Sequence, residues 1–578
     1  MYIEAEFNFF YKTPYRISDS LRFSTKTLSG FCHFGRIGYN MDKKNVNRPA
    51  IKTLYQLQVI AGNSLGRHIM QRIAIIDIGS NSARLVISHI YKNGAYNMVF
   101  NQKEMLRLAE KTEGDGLLSK EAFDSTLQVM QSFAYMCRQY KTDKIIAVAT
   151  AAIRNARNGN RLTEEVFAKT GIRLHIISGD VEAQLSYLGV INTLPVKDGI
   201  IFDLGGGSTE LILFRDRKLV ESVSIPLGAV NTTDIFHIRD MMLPTVYTDI
   251  NFFITTRMEK YSWLKDASLP LIGVGGTART VAKMIQRSRN YPSSRIHNYI
   301  FSARSFRTLF KKLQGTSLEE RKTIPGLSAE RSDIILAGIS IINCLLAQTK
   351  SKRIITSGCG LREGLFYDYY AKTNNVPLIA DDILEESTQN VLRLFSVNIE
   401  HNRHVAALAL SMFDGWHGLH GLGKQYKKLL KTAALLHDIG ITINYYSHAR
   451  HSSYMILNAK IFGLTQGEQM LCAVVAGWHN GIAKRYFKNH AYRSLLTEKD
   501  WDTAGKLALL LALAESLDYS ESNTVTAINP CTDLTAATLE IHTAEKATIE
   551  IQQIKAYEAW FAETFGVPLT TVIKGKTE

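Results

Sequence analysis

From Arg72 to about Tyr370, strand-like apolar runs alternate with helical patterns. The runs "RLVISHI" and "YNMVFNQKEML" flank the turn dipeptide Asn93-Gly94, so together with the preceding "RIAIIDI" they predict a meander of three strands. Ser119 predicts a helix N-cap, because apolar residues follow it at the three- and four-residue spacing of one helix face. Strands that alternate with helices indicate an α/β fold.

The same alternation continues toward about Pro195. "KIIAVAT" and "IRLHIIS" predict strands, and "TEEVFAKTG" between them predicts a short helix that ends at Gly171. "DVEAQLSYLGV" predicts a helix that begins at Asp180.

Two stretches of this region repeat one another. "AIIDIGSNSARLVI" (74–87) and "IIFDLGGGSTELIL" (200–213) align at one constant offset, which places Asp77 on Asp203 and Ser82 on Ser208. Each copy predicts an apolar strand, an acidic residue, a turn of small residues and a second strand. A repeat of this kind indicates two homologous lobes, each beginning with a hairpin whose turn faces a shared cleft.

Glycine-rich loops follow strand-like runs at two further places, "LIGVGGTARTVAKMI" (271–285) and "IITSGCGLREGLFYDYY" (354–370). A single glycine-rich turn is explained by the hairpin alone, since glycine adopts positive φ easily. Four such loops favour a second explanation, in which backbone N–H groups and helix N-termini approach phosphate oxygens.

Beyond residue 371 the pattern changes. "KTNNVPLIAD" (372–381) predicts a linker, and residues 382–520 carry helical periodicity without a convincing strand. The last segment, 521–578, contains the β-like run "TLEIHTAEKATIEI" and one amphipathic helix, "KAYEAWFAETFG". Residues 1–69 lack sustained periodicity, so we expect a flexible extension or a start codon placed too early.

The net charge of +15 favours a polyanionic partner. The six cysteines form no CxxC pair, which is typical of thiols in a reducing cytoplasm. No apolar run is long enough for a membrane span. We therefore expect a cytoplasmic protein with no membrane partner. Without an RNA-recognition motif, the charge does not indicate a specific nucleic acid.

The two Asp-Gly hairpins, "SGDVEAQLSYLGV", "GGTART" and "GLREG" together resemble the exopolyphosphatase/guanosine pentaphosphate phosphatase family. The resemblance implies two homologous actin-like (ribonuclease H-like) lobes around a cleft, at 70–195 and 196–371. It also implies an all-α HD-like domain at 382–520, before the small α+β tail at 521–578. The implied reaction is hydrolysis of terminal phosphates with Mg²⁺ or Mn²⁺, by a homodimer.

The resemblance also assigns residues to roles. Glu182 matches the catalytic glutamate, Arg154 matches a substrate-orienting arginine, and Asp77, Asp203 and Glu210 match the metal-binding acids. The implied phosphate-binding residues are Ser80, Asn81, Ser82, Gly205, Gly206, Gly207, Ser208, Thr209, Gly275, Gly276 and Thr277. From the residues alone, Glu182 is also explained as a solvated first-turn residue, and Arg154 as an ordinary salt-bridge partner.

The chain departs from the family pattern at two positions. Val181 replaces the first of two acids that often precede the alanine of "SGxEEA", and Asn231 stands where members often carry arginine. If the second acid does the chemistry, the first change matters little. The second removes a positive charge near the cleft.

The helical region carries its own candidate metal site. His401, the pair His437-Asp438, and Asp518 follow the order of metal-dependent HD phosphohydrolases, in which imidazoles and carboxylates bind a divalent ion. His448, His451 and His479 extend this set. The alternative is a vestigial domain whose histidines satisfy local hydrogen bonds.

Together these features predict an exopolyphosphatase that releases orthophosphate from inorganic polyphosphate. Guanosine pentaphosphate is the alternative substrate. A kinase of the same fold and a non-catalytic regulator that senses either ligand also remain open.

Overall fold

The computed structural model describes residues 68–112, 115–482, 484–533 and 535–575, without the side chains of Lys484 and Lys488. The predicted N-terminal extension therefore lies almost wholly outside the described residues. Within them, no helix combines the length and apolarity that crossing a membrane requires.

The first lobe is built on a five-stranded sheet with the order β3-β2-β1-β4-β5. Antiparallel pairing of β1 with β2 and of β2 with β3 confirms the predicted meander. The strands are β1 (Ile69–Ile78), β2 (Ser82–Tyr91), β3 (Tyr96–Met105), β4 (Lys144–Ala149) and β5 (Leu174–Ile176). The helices are α1 (Lys120–Gln139), α2 (Ala151–Arg154), α3 (Gly159–Thr170) and α4 (Gly179–Ile191).

Local side-chain chemistry sets the ends of these helices. Ser119 accepts a hydrogen bond from the Ala122 N–H and so caps α1, as predicted. Gly171 ends α3 in the left-handed conformation, with φ 71°. Ser178 caps α4 through the Val181 N–H, so this helix begins one residue before the predicted Asp180.

The second lobe has a six-stranded sheet with the order β10-β11-β9-β6-β7-β8. Its strands are β6 (Gly199–Leu204), β7 (Thr209–Arg215), β8 (Lys218–Ile225), β9 (Leu271–Val274), β10 (Tyr299–Ser302) and β11 (Arg353–Thr356). Its helices are α5 (Ala229–Phe236), α6 (Pro244–Met258), α7 (Gly275–Ser288), α8 (Ala303–Gln314), α9 (Leu318–Thr323), α10 (Ile335–Thr349) and α11 (Leu361–Asn374).

The two sheets share one topology, which confirms the internal repeat. β8-β7-β6-β9-β11 follows the order of β3-β2-β1-β4-β5 with the same strand directions, and β10 is added at the edge. Both hairpin turns are closed by the same hydrogen bond, from Gly79 N to Ser82 O and from Gly205 N to Ser208 O. The acidic residues therefore occupy equivalent positions at the ends of β1 and β6.

The lobes are joined by a close crossing of α4 and α11. A Cβ at Gly189 would overlap the Gly360 carbonyl, and a Cβ at Gly364 would overlap the Leu185 carbonyl. Glycine is therefore required where the two backbones meet.

Residues 383–516 are helical, as predicted. The helices are α12 (Ile383–Phe395), α13 (Ile399–Gly415), α14 (His417–His420), α15 (Gln425–Leu436), α16 (His448–Asn458), α17 (Gln466–Trp478), α18 (Lys484–Lys488) and α19 (Glu498–Ser516). This region contacts both lobes: Asn390 on α12 accepts from the Tyr96 N–H at 2.8 Å, and Arg295 donates to the Leu457 carbonyl at 2.9 Å.

The tail differs from its prediction. It forms β12 (Val525–Thr532), β13 (Ala537–Thr543), α20 (Thr548–Lys555), α21 (Glu558–Phe565) and β14 (Leu569–Gly575). The run "ATIEI" is therefore largely helical, and the described tail ends in a strand that pairs with β13. The buried side chains of this helix, Glu550 and Ile554, are four residues apart, so tertiary packing overrides the strand-like alternation.

The predicted domain limits remain a proposal. Two clusters of buried apolar side chains, one associated with each sheet, support the limits of the two lobes, while a third cluster extends through both the helical region and the tail.

Candidate active site

The turns after β1 and β6 and the N-termini of α7 and α11 converge on one cleft of about 150 Å³. Most of the predicted phosphate-binding residues line it: Ser80, Asn81, Ser82, Gly205, Gly206, Ser208, Gly275 and Gly276. Gly207, Thr209 and Thr277 are not part of the lining. The Thr209 hydroxyl donates instead to the Leu227 carbonyl, and Thr277 packs beneath Gly338.

Asp77 and Asp203 face this cleft from equivalent strand ends. Burial raises the pKa of both carboxyl groups; Arg362 opposes the shift at Asp77, and a hydrogen bond from Ser186 opposes it at Asp203. That bond, from Ser186 Oγ to Asp203 Oδ2, is 2.6 Å long. Two partly buried carboxylates facing one space form a donor set of hard oxygens, which fits Mg²⁺ or Mn²⁺.

Glu182 lies in the first turn of α4, lines the cleft and is 9% exposed. Its Oε2 accepts a hydrogen bond from Arg154 Nη1 at 2.8 Å, and Arg154 also donates to the Ile177 carbonyl at 3.0 Å. Burial raises the pKa of Glu182 to about 7, although the Arg154 hydrogen bond opposes the shift. The buried position disfavours the solvated first-turn explanation, and the carboxyl group is poised to exchange a proton near neutral pH.

Glu210 lies behind the cleft rather than in its lining. It is 1% exposed, and its Oε1 accepts hydrogen bonds from Ser208 Oγ and Ser224 Oγ, both at 2.8 Å. Burial, followed by the negative charges of Glu182 and Asp203, raises its pKa well above the usual range. Its role as a metal ligand stays a prediction. Its hydrogen bond from Ser208 holds the end of the glycine-rich turn in place.

Four arginines line the cleft: Arg84, Arg279, Arg331 and Arg362. None forms an ion pair with a carboxylate in the part of the chain that the structure describes. Burial, and then the neighbouring arginines, lower the pKa of Arg84 and of Arg331 to about 10 each. Positive charge is therefore held without a paired anion, which favours a ligand with several negative charges.

None of these four arginines was predicted from the sequence to be a site residue. Arg279 and Arg362 lie inside the quoted motifs "GGTART" and "GLREG". Their positions at the start of a helix that follows a glycine-rich loop could have identified them as phosphate-binding candidates. Arg331 comes from a short turn with no motif. Its guanidinium lies over Gly276, where a Cβ would overlap it.

Asn231, which stands where relatives often carry arginine, holds the glycine-rich turn in place. Its Oδ1 accepts from the Gly228 N–H at 2.7 Å, and its Nδ2 donates to the Gly207 carbonyl at 2.9 Å. Asn231 therefore links this turn to the N-terminus of α5.

In the helical region, the structure brings together three of the four predicted metal ligands, His401, His437 and Asp438. Asp518 lies behind His401, whose Nδ1 is 2.8 Å from Asp518 Oδ2. Glu515, which the sequence pattern did not select, takes the place predicted for Asp518. His448 and His479 form a second group with Asp438, whereas His451 belongs to neither group.

Comparisons with known proteins agree with this architecture. Residues 86–373 match the Ppx/GppA phosphatase family, and residues 383–561 match Ppx/GppA phosphatase domain III. The guanosine-5'-triphosphate,3'-diphosphate pyrophosphatase of Pseudoalteromonas translucida (strain TAC 125) is 26% identical over 436 residues, which are 74% of this chain and 84% of that protein.

Two solved structures cover about half of the chain. An exopolyphosphatase from Cytophaga hutchinsonii ATCC 33406 is 25% identical, with a TM-score of 0.50 over 54% of this chain and 100% of that one. The Aquifex aeolicus PPX-GPPA enzyme is 30% identical, with a TM-score of 0.45 over 51% of this chain and 98% of that one.

Proposed function

Because this chain belongs to the Ppx/GppA phosphatase family and is therefore a phosphatase, we propose that it releases terminal orthophosphate from inorganic polyphosphate in the cleft between its lobes. The observation that carries the proposal is the group of four cleft arginines without carboxylate partners. A polyphosphate end supplies consecutive anionic groups that such a cluster binds.

Both the arginines and the helix N-termini supply donors for phosphate oxygens. Arg84 lies on β2 in the hairpin of the first lobe, and Arg279 and Arg362 lie near the N-termini of α7 and α11. Guanidinium groups donate to phosphate oxygens in a fixed fork, and free N–H groups at helix N-termini add further donors. A terminal phosphate held in this way is oriented toward Glu182.

Glu182 acts as the base that orients the attacking water and takes its proton. Because burial raises its pKa to about 7, the Glu182 carboxylate is a stronger base than an exposed glutamate. A substantial fraction of it is still deprotonated at neutral pH. Arg154 fixes the orientation of the carboxylate through Oε2. Asp77 and Asp203 would hold Mg²⁺ or Mn²⁺, which would neutralise charge on the phosphate oxygens.

Guanosine pentaphosphate is the second candidate substrate. The relative that spans 74% of this chain carries the name of the pyrophosphatase acting on guanosine-5'-triphosphate,3'-diphosphate. Both substrates present a terminal phosphoanhydride, so the same base, metal-binding carboxylates and arginines serve either reaction.

The test is phosphate release by the purified chain with Mg²⁺, measured in parallel on long polyphosphate, guanosine pentaphosphate and ATP, each without an acceptor. We expect the highest kcat/KM on polyphosphate. A higher value on guanosine pentaphosphate would select the second candidate. Tight binding of both without phosphate release would indicate a sensor, and transfer from ATP only when an acceptor is added would indicate a kinase.

A further inference from the structure

Imidazole and carboxylate groups converge inside the helical region, far along the chain from the cleft residues. Two groups of ligand atoms each lie within 4.8 Å of one another, and Asp438 belongs to both. The first contains His401, His437, Asp438 and Glu515; the second contains Asp438, His448 and His479. They come from α13, α16 and α19 and from the residues that follow α15 and α17.

In three of these imidazoles, Nδ1 lies within hydrogen-bonding distance of a backbone carbonyl oxygen. Nδ1 of His437 lies 2.6 Å from the Ala434 carbonyl, Nδ1 of His448 lies 3.0 Å from the Tyr445 carbonyl, and Nδ1 of His479 lies 2.6 Å from the Ala476 carbonyl. Because a carbonyl oxygen only accepts, Nδ1 must carry the hydrogen. In the neutral ring Nε2 is then a bare lone pair, and this is how metal-ligating histidines are oriented.

His401 follows the same pattern with a carboxylate as its acceptor. Asp518 Oδ2 lies 2.8 Å from His401 Nδ1, and Asp518 is itself fixed by the Asn523 N–H at 2.9 Å. His401 is 3% exposed, and its Nε2 makes no hydrogen bond. This buried lone pair points into the first group.

These lone pairs face other acceptors. Nε2 of His448 lies 3.2 Å from Nε2 of His479, and Nε2 of His437 lies 2.6 Å from Glu515 Oε2. Acceptors at such distances repel unless a proton or a metal ion lies between them. Asn480 Nδ2 lies 3.2 Å from His448 Nε2 and donates to it. Nε2 of His479 then has no donor in this group.

Two of the spacings match those of donors that share one metal ion, while the 2.6 Å between His437 Nε2 and Glu515 Oε2 is the length of a hydrogen bond. Donors bound about 2.1 Å from one ion lie about 3.4 Å apart in a tetrahedral site. Here His401 Nε2 lies 3.3 Å from Glu515 Oε2, and Asp438 Oδ1 lies 3.3 Å from His448 Nε2. Asp438 Oδ1 is buried without a hydrogen-bond partner, so it is free to serve a metal ion.

We propose that the helical region binds two first-row transition-metal ions bridged by Asp438. His401, His437 and Glu515 complete one site, and His448 and His479 complete the other. Mixed imidazole and carboxylate donors select ions such as Mn²⁺, Fe²⁺, Co²⁺ or Zn²⁺ over Mg²⁺. The proposal is independent of the phosphatase cleft, whose donors are oxygens alone.

The test loads the chelator-stripped full chain with Co²⁺ in a large excess of Mg²⁺, which occupies the all-oxygen cleft. Bound cobalt is counted by elemental analysis, and the visible absorption of Co²⁺ reports imidazole ligands. We expect two Co²⁺ per chain, one in the His448→Gln variant and fewer than one in Asp438→Asn. His451→Gln, a neighbouring histidine outside both groups, should retain two.

Folding of each variant is checked by circular dichroism, and partly exposed His448 is the position least expected to disturb the core. Absence of bound Co²⁺ in the wild-type chain would overturn the proposal. So would an unchanged cobalt content in Asp438→Asn, or loss of a single ion there with the spectrum of the other site preserved.

Discussion

Lowering the pH should destabilise this protein through His297. The ring is partly buried beside the cleft loop, where its Nδ1 accepts from the Gly358 N–H at 3.1 Å. Its Nε2 therefore carries the hydrogen and donates to the Thr193 carbonyl at 3.0 Å. Protonating Nδ1 would break the bond to Gly358 and place a positive charge in this partly buried site.

Burial lowers the pKa of His297 from 6.5 to about 4, although the Thr193 carbonyl opposes the shift. Because the folded-state pKa is the lower one, the unfolded chain takes up the proton first. The stability that this group contributes is complete above pH 6.5 and is lost as the pH falls from 6.5 toward 4. At about 1.4 kcal/mol for each pKa unit, and with a reduction for partial exposure, the loss between pH 7 and pH 5 is about 1–2 kcal/mol.

The assay is urea unfolding at several pH values between 7 and 5, with His297→Gln as the comparison. Glutamine does not titrate, so the other titrating groups cancel in the difference between the two proteins. We expect the wild-type free energy of unfolding to fall more steeply with decreasing pH than that of the variant, by about 1–2 kcal/mol at pH 5. Equal pH dependence in both proteins would show that His297 does not contribute this pH-dependent stability.

Two further predictions concern the cleft. Gly276→Ala should push the Arg331 guanidinium aside and lower kcat/KM for polyphosphate by at least about tenfold, because a displaced binding group no longer orients the substrate. The control Gly315→Ala, at a position where a Cβ meets open space, should leave kcat/KM unchanged. Arg362→Gln should raise KM for polyphosphate about tenfold and flatten its dependence on salt, because a charged contact to a polyanion is lost. Arg307→Gln, an exposed arginine outside the cleft lining, should change neither quantity, and equal effects at both arginines would contradict the assignment.

The lobes were predictable because their signals are local and occur twice. Ser119 begins a helix through its side chain and Gly171 ends one through its backbone, and the repeated Asp-Gly hairpins placed Asp77 and Asp203 at equivalent turns. The run "ATIEI" was assigned wrongly because its apolar alternation also fits one side of a short helix packed on a core. Periodicity over so few residues does not separate the two cases.

The candidate sites were less accessible to sequence reasoning because they depend on tertiary contacts. Arg331 reaches the cleft only through the packing of its short turn over Gly276. Glu515 lies in the last turn of α19 and the predicted Asp518 follows the end of that helix, so spacing in the sequence did not decide which acid faces the histidines. The structure assigns Glu515 to the inner position and Asp518 to the position behind His401.

Glu182 is the base of the proposed phosphate hydrolysis. Its role is tested by measuring kcat for phosphate release from polyphosphate by the variants Glu182→Gln and Asp180→Asn, since Asp180 is an exposed acid in the same helical turn. We expect Glu182→Gln to fold normally, to keep its affinity for polyphosphate and to lose at least about 100-fold in kcat, while Asp180→Asn keeps wild-type activity. Wild-type kcat in a folded Glu182→Gln variant would contradict the account.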